Sequence, residues 1–152
     1  MKKFILLGLV GFALLGCENK KGAFLETVET THDVPTSVEK FIKIAQDKGL
    51  TYFETIDHAK NAKDVGLRML AESVVVFGNP KMGTKLMQCN PSIGLDLPLR
   101  MLFSTDYEGT TTITYTNPEY WSLKHNIKDK KCLEIIRKAN IAMQNLAEAA
   151  SK

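Results

Sequence analysis

Leu99-Arg100-Met101-Leu102-Phe103-Ser104-Thr105-Asp106-Tyr107-Glu108-Gly109-Thr110-Thr111-Thr112-Ile113-Thr114-Tyr115-Thr116 holds two β-rich runs on either side of a turn. Leu99 to Phe103 is apolar apart from Arg100 and Thr110 to Thr116 is dense in β-branched residues, compositions that suit a pleated, half-buried surface. Between them, Asp106-Tyr107-Glu108-Gly109 joins an aspartate that can bond nearby backbone to a glycine that tolerates positive φ. The two runs are therefore expected to form a hairpin. Downstream, Asp129 to Ala150 places Cys132, Ile135, Ile136, Ala139, Met143 and Leu146 on one helical stripe. That helix leads to no further strand and must bury its stripe on the sheet. A hairpin plus a terminal helix favours an α+β fold on a largely antiparallel sheet over a doubly wound one.

Working outward, Phe24 to Thr31 reads as a first strand, Thr51 to Ile56 as a second and Ser73 to Phe77 as a third, which makes about five strands with the hairpin. Pro35-Thr36-Ser37-Val38-Glu39 opens a helix, with Thr36 placed to cap and Glu39 to complete a capping box. Val38, Phe41, Ile42 and Ala45 recur at helical spacing, and Gly49 ends the helix. Val74-Val75-Val76-Phe77 is apolar without alternation, as in a strand covered on both faces, by helices or by a dimer partner. There are no internal repeats, low-complexity tracts or long linkers, so residues 23–152 read as one domain.

The first 22 residues have a different character. Met1-Lys2-Lys3 is a short cationic start, and Phe4 to Leu15 is uncharged and mostly apolar. The run is too short for the roughly 20 residues that a membrane-spanning helix needs, and it has the flanks of a secretory signal. Leu14-Leu15-Gly16-Cys17 resembles a lipobox, in which a small residue precedes the cut and the cysteine thiol takes the lipid. Residues 1–16 are accordingly expected to be a lipoprotein signal peptide, Cys17 the acylated first mature residue, and residues 17–22 a polar tether. The implied location is the cell envelope, lipid-anchored and facing the periplasm or the exterior. Where the cell has two membranes, Glu18 in place of a retaining aspartate slightly favours the outer one.

Lys2 and Lys3 are the only charges of the signal, so its removal lowers a formal +3 to +1. A near-neutral chain with interspersed charges gives no electrostatic argument for a nucleic-acid partner. Lipidation consumes one of three cysteines and leaves Cys89 and Cys132. An oxidising compartment permits a disulfide between them. Two unpaired thiols are nonetheless favoured, because most cysteine pairs lie beyond bridging distance and Cys132 on its apolar stripe reads as a small hydrophobe.

Further motifs carry a resemblance. Phe53-Glu54-Thr55-Ile56-Asp57-His58-Ala59 leads to Val76-Phe77-Gly78-Asn79-Pro80-Lys81-Met82-Gly83-Thr84-Lys85-Leu86-Met87-Gln88, then to Asn90-Pro91, Ile93-Gly94-Leu95-Asp96-Leu97-Pro98-Leu99-Arg100, Tyr115-Thr116-Asn117-Pro118 and His125. In this order they resemble the domain of unknown function 302 family, from about Phe24 to the last helix. The resemblance implies an α+β domain that can form a homodimer, and it implies no reaction and no cofactor. Cys89 stands where similar sequences more usually carry a small residue, which argues against a shared thiol chemistry.

Four residues are ligand-binding candidates. Asn79-Pro80 reads as a helix start, with Asn79 as cap and Pro80 at the first helical position. Lys81 and Lys85 beside that amino end make an anion site or merely a solvated face. His58 closes the second strand, where it either orients a ligand or is a structural hydrogen-bonding residue. Asp96 sits among apolar neighbours in a loop held by glycine and proline, and it either pins the loop or faces a cleft. His125 follows Trp121 by one helical turn and reads as packing. His32, His58, His125, Met82, Met87 and Cys89 lack metal-ligand spacing. No phosphate loop, nucleophile elbow or zinc-protease helix is present.

Two function classes follow. The first is a non-catalytic envelope lipoprotein that binds a small polar or anionic ligand, or a partner, with His58 and Lys81 in one pocket wall. The second is a small-molecule enzyme using His58 or Asp96 as general acid or base.

Overall fold

The computed structural model describes residues 24–152. The signal peptide, the Cys17 lipidation and the 17–22 tether lie outside the described residues. Five strands, β1 (Leu25–Thr30), β2 (Thr51–Asp57), β3 (Glu72–Gly78), β4 (Leu99–Thr105) and β5 (Thr111–Thr116), form one sheet in the order β1-β5-β4-β3-β2. Every neighbouring pair is antiparallel. The helices are α1 (Val34–Asp47), α2 (His58–Asp64), α3 (Pro80–Cys89), α4 (Tyr120–Lys124) and α5 (Lys130–Ser151), with a 3-10 turn at Pro91–Leu95. The architecture is α+β.

Local chemistry sets the boundaries. Asp33, not Thr36, caps α1: its carboxylate accepts the Thr36 N–H at 2.9 Å, which corrects the capping-box reading. Aspartate caps at least as well as threonine, and Pro35 fits the first turn because its missing N–H had no helical partner. Gly49 ends α1 at φ +74 and Gly109 closes the β4–β5 turn at φ +84. In that turn Asp106 Oδ1 accepts the Glu108 and Thr110 N–H groups at 3.1 and 2.8 Å.

Alternation along the strands directs one sheet face into the main core, where Val75, Phe77, Met101, Phe103 and Ile113 meet α1 and α5. Phe41 of α1 is fully buried, with its ring 4.9 Å from Phe77 and 5.4 Å from Phe103, both in edge geometry. From α5, Met143, Leu146, Ala147 and Ala150 enter the same core, as the helical stripe requires. In β3, which flanks the central strand β4, Val74 and Val76 point away from this core, Val74 half-buried and Val76 buried. A second cluster joins Leu86, Ile93, Trp121, Ile127, Cys132 and Ile136 around the end of the sheet at which β3 stops and β4 starts.

Cys89 and Cys132 are disulfide-bonded, with Cα atoms 6.3 Å apart. This corrects the expectation of two unpaired thiols. Cys132 is indeed buried on its stripe, but α3 ends against the start of α5 and brings Cys89 to it.

Candidate functional site

Antiparallel pairing distributes the four candidate residues between the two ends of the sheet. Asp57 pairs with Ser73 and Thr51 with Gly78, so His58 follows the far end of β2 while Asn79 and Lys81 follow the near end of β3. Seven strand residues at about 3.3 Å each put roughly 20 Å between those ends, too far for one small ligand. His58 opens α2 after the Asp57 cap, whose carboxylate accepts the Lys60 N–H at 2.8 Å. Because Phe77 pairs with Leu99, the loop carrying Asp96 shares the near end with Asn79 and Lys81. Asn79 caps α3 by accepting the Met82 N–H at 3.2 Å, and Lys81 is exposed on the first turn.

That near end contains a cavity of about 490 Å³. It opens between α3 and α5, where small residues leave space: Gly78 and Gly83 on one wall, Ala139 and Ala142 on the other. Phe53, Met82, Met87, Leu97 and Trp121 are among the large apolar side chains of the lining, and Asn79, Thr84 and Lys138 are its polar members. The volume falls within the range of small-molecule sites. His58, Lys81 and Asp96 do not line it, and its wall is apolar, unlike the polar opening that the sequence suggests. Lys138 forms an exposed 2.7 Å pair with Glu134 one turn away.

Beside the cavity lies a polar constellation. Asp96 Oδ2 is 2.5 Å from His125 Nε2, Asp96 Oδ1 is 2.8 Å from Lys124 Nζ, and Ser92 Oγ is 2.7 Å from His125 Nδ1. The 3-10 turn carries Ser92, and α4 brings Lys124 and the His125 that ends it. Asn90 ties the two elements together, accepting the Ser92 N–H at 2.9 Å and donating to the His125 carbonyl at 2.7 Å. The His125 side chain is 3% exposed and that of Asp96 14%, whereas Ser92 is exposed. Burial pushes the Asp96 carboxyl up, but hydrogen bonds from Lys124 and His125 outweigh it and hold the group below its ordinary range. A carboxylate can only accept, so Nε2 carries a proton, and in the neutral imidazole Nδ1 then presents its lone pair to the Ser92 hydroxyl.

In the sequence His125 reads as packing, and Ser92 carries no signal of its own. Asp96 and Ser92 do share a four-residue spacing, but no pattern in the sequence joins them to a histidine 29 residues beyond Asp96. Among the described residues, no group of three histidine, cysteine, aspartate or glutamate side chains is arranged to hold a metal ion.

The model of the family described as domain of unknown function DUF302 matches residues 26–150. The chain belongs to the DUF302 family. A crystal structure of an uncharacterized conserved DUF302 protein from Bacillus stearothermophilus aligns with 85% of this chain and 99% of its own, at a TM-score of 0.76 and 17% identity. At that identity the DUF302 likeness establishes a common fold. The fluoride-specific ion channel FluC 1 of Brucella suis biovar 1 (strain 1330) is 37% identical over 103 residues, 68% of this chain and 41% of that protein. FluC 1 of Brucella abortus biovar 1 (strain 9-941) is also 37% identical over 103 residues, 38% of its own length. The chain thus spans about two-fifths of the length of these curated relatives.

Proposed function

We propose that this chain is an envelope lipoprotein, anchored through acylated Cys17, whose DUF302 domain binds a small apolar molecule in the cavity between α3 and α5. The apolar lining of that 490 Å³ space carries the reading. An apolar occupant would replace the missing side-chain volume of Gly83, Ala139 and Ala142 and remove Phe53, Met82 and Met87 from water, which is favourable at about 25 cal/mol per Å². Methionines adapt their shape to such occupants. Lys138 at the wall would exchange its exposed Glu134 partner for the anionic head of an amphiphile such as a lipid.

The export part rests on the signal pattern, and the Cys89–Cys132 disulfide supports it, since such bonds persist in oxidising compartments. The cavity end of the sheet is also the end from which the chain would reach a membrane. The Phe24 carbonyl accepts the Asn117 N–H at 2.7 Å, and its ring lies 5.1 Å from Tyr120, next to the cavity residue Trp121. The seven residue-to-residue steps from Cys17 to Phe24 span at most about 25 Å, so an acylated Cys17 would keep this end near the bilayer. The relatives bear the name of an ion channel, a membrane activity, which fits the same station. Their channel activity is not carried over: no helix among the described residues is long and apolar enough to cross a membrane, and the match covers under half of those proteins.

Nile red fluorescence tests the binding part. The dye should bind the wild-type domain and be displaced by a lipid amphiphile, and Ala139→Trp, which fills the cavity, should abolish binding while the fold persists. Equal binding by that variant would refute the cavity reading. Membrane partition of wild type against Cys17→Ser tests the anchor separately, and soluble, unacylated wild-type protein would refute it.

A further inference from the structure

We propose that Ser92, His125 and Asp96 form a nucleophilic centre that cleaves an ester bearing an apolar acyl group. A nucleophile within hydrogen-bond reach of a base, with that base oriented by a third group, is the arrangement on which acyl-transfer chemistry depends. Here the distances are 2.7 Å from Ser92 Oγ to His125 Nδ1 and 2.5 Å from His125 Nε2 to Asp96 Oδ2. The ring is used in the sense opposite to the serine-protease template, and either sense serves because a neutral imidazole has one N–H and one lone pair.

Pinning alone does not account for the serine. Asn90 already ties the 3-10 turn to α4 through its own two hydrogen bonds, so the Ser92 hydroxyl is not needed to hold them together. The base is sealed from water at 3% side-chain exposure, and Ser92, whose hydroxyl it bonds, is an exposed residue. The surroundings select the substrate class. In a 3-10 turn, residues three apart eclipse one another, which sets Leu95 over Ser92. Leu95 is 76% exposed, and Met87, 40% exposed, lies under the same turn, 3.6 Å from where a Cβ on Gly94 would be. An acyl group placed at Ser92 therefore meets an apolar rim.

In the first step Ser92 Oγ bonds to the ester carbonyl carbon as its proton passes to His125 Nδ1. The carbon–oxygen bond to the alcohol then breaks, and the alcohol leaves with the proton from Nδ1. Water repeats the sequence on the acyl-serine: its proton goes to Nδ1, its oxygen bonds to the carbonyl carbon, and Ser92 departs with the proton as the carboxylic acid is released. Asp96 stays ionised throughout and steadies the imidazolium formed in each half. The centre lies outside the cavity lining, so it stands or falls independently of ligand binding there.

The test is labelling of the purified mature protein with a fluorophosphonate, read by peptide mass spectrometry, together with hydrolysis of p-nitrophenyl butyrate. The adduct should map to Ser92, and Ser92→Ala should lose both the adduct and the hydrolysis above the protein's surface background. His125→Gln should slow labelling by about 100-fold or more, the scale of general-base assistance. Absence of an Ser92 adduct would overturn the proposal, as would unchanged labelling in folded His125→Gln. Should that buried substitution fail to fold, the exposed Ser92→Ala decides alone: hydrolysis equal to wild type refutes the centre.

Discussion

Cys89, the last residue of α3, and Cys132, in the first turn of α5, are joined by a disulfide that closes a 43-residue separation. The enclosed stretch contains the Ser92 turn, β4, β5 and α4, so the bond brackets the polar constellation and fixes two cavity-wall helices to each other. In the chain-entropy account, a loop of that length is worth about 4 kcal/mol through restriction of the unfolded state. Cys89→Ala with Cys132→Ala should lower stability by up to this amount, measured by urea denaturation, and added reductant should shift wild type but not the double variant.

Asp96 should make the protein acid-sensitive. Its folded-state pKa lies below the ordinary 3.8, so its contribution is present above that value and is lost as pH falls through the lower folded one. Asp96→Asn should be less stable at neutral pH and should show a flatter stability profile below pH 3.8. Midpoints of denaturation across that range check the slope, and parallel profiles would contradict the assignment.

Leu146 is 1% exposed in the core between α5 and the sheet. Leu146→Asp places a carboxylate there without a partner and should cost about 4 kcal/mol or more. An unchanged melting temperature would show that this face of α5 is not buried as described.

Two glycine substitutions should act in opposite directions. Gly83 lies inside α3, and a Cβ there would meet Leu97 Cδ1 at an ordinary 3.6 Å, so Gly83→Ala should stabilise by roughly 0.5–1 kcal/mol through helix propensity. Gly109 holds φ +84 with no atom within 4 Å of a Cβ, so Gly109→Ala has room yet strains the backbone and should destabilise by about 1 kcal/mol. Thermal melts of both variants check the signs.

The sequence by itself determined what rests on neighbours along the chain. Alternating and β-branched runs, the Asp106–Gly109 turn, the Asn79-Pro80 start and the stripe of α5 gave the elements, the hairpin and the α+β class, because periodicity and turn chemistry act over a few residues. Even there, Asp33 took the cap from Thr36, because α1 starts at Val34 and leaves Thr36 inside the first turn, where its own N–H is the one that needs a partner.

Tertiary structure alone decided which distant residues meet. Strand direction sent His58 to the end of the sheet opposite Asn79 and Lys81, although all three sit at strand ends in the sequence. Packing of α3 on α5 joined Cys89 to Cys132 and left an apolar cavity where small residues face one another. Docking of α4 on the 3-10 turn gave the Asp96 and Ser92 side chains a common histidine. Such meetings depend on register and helix docking, which the whole core sets, and no local pattern of residues records them.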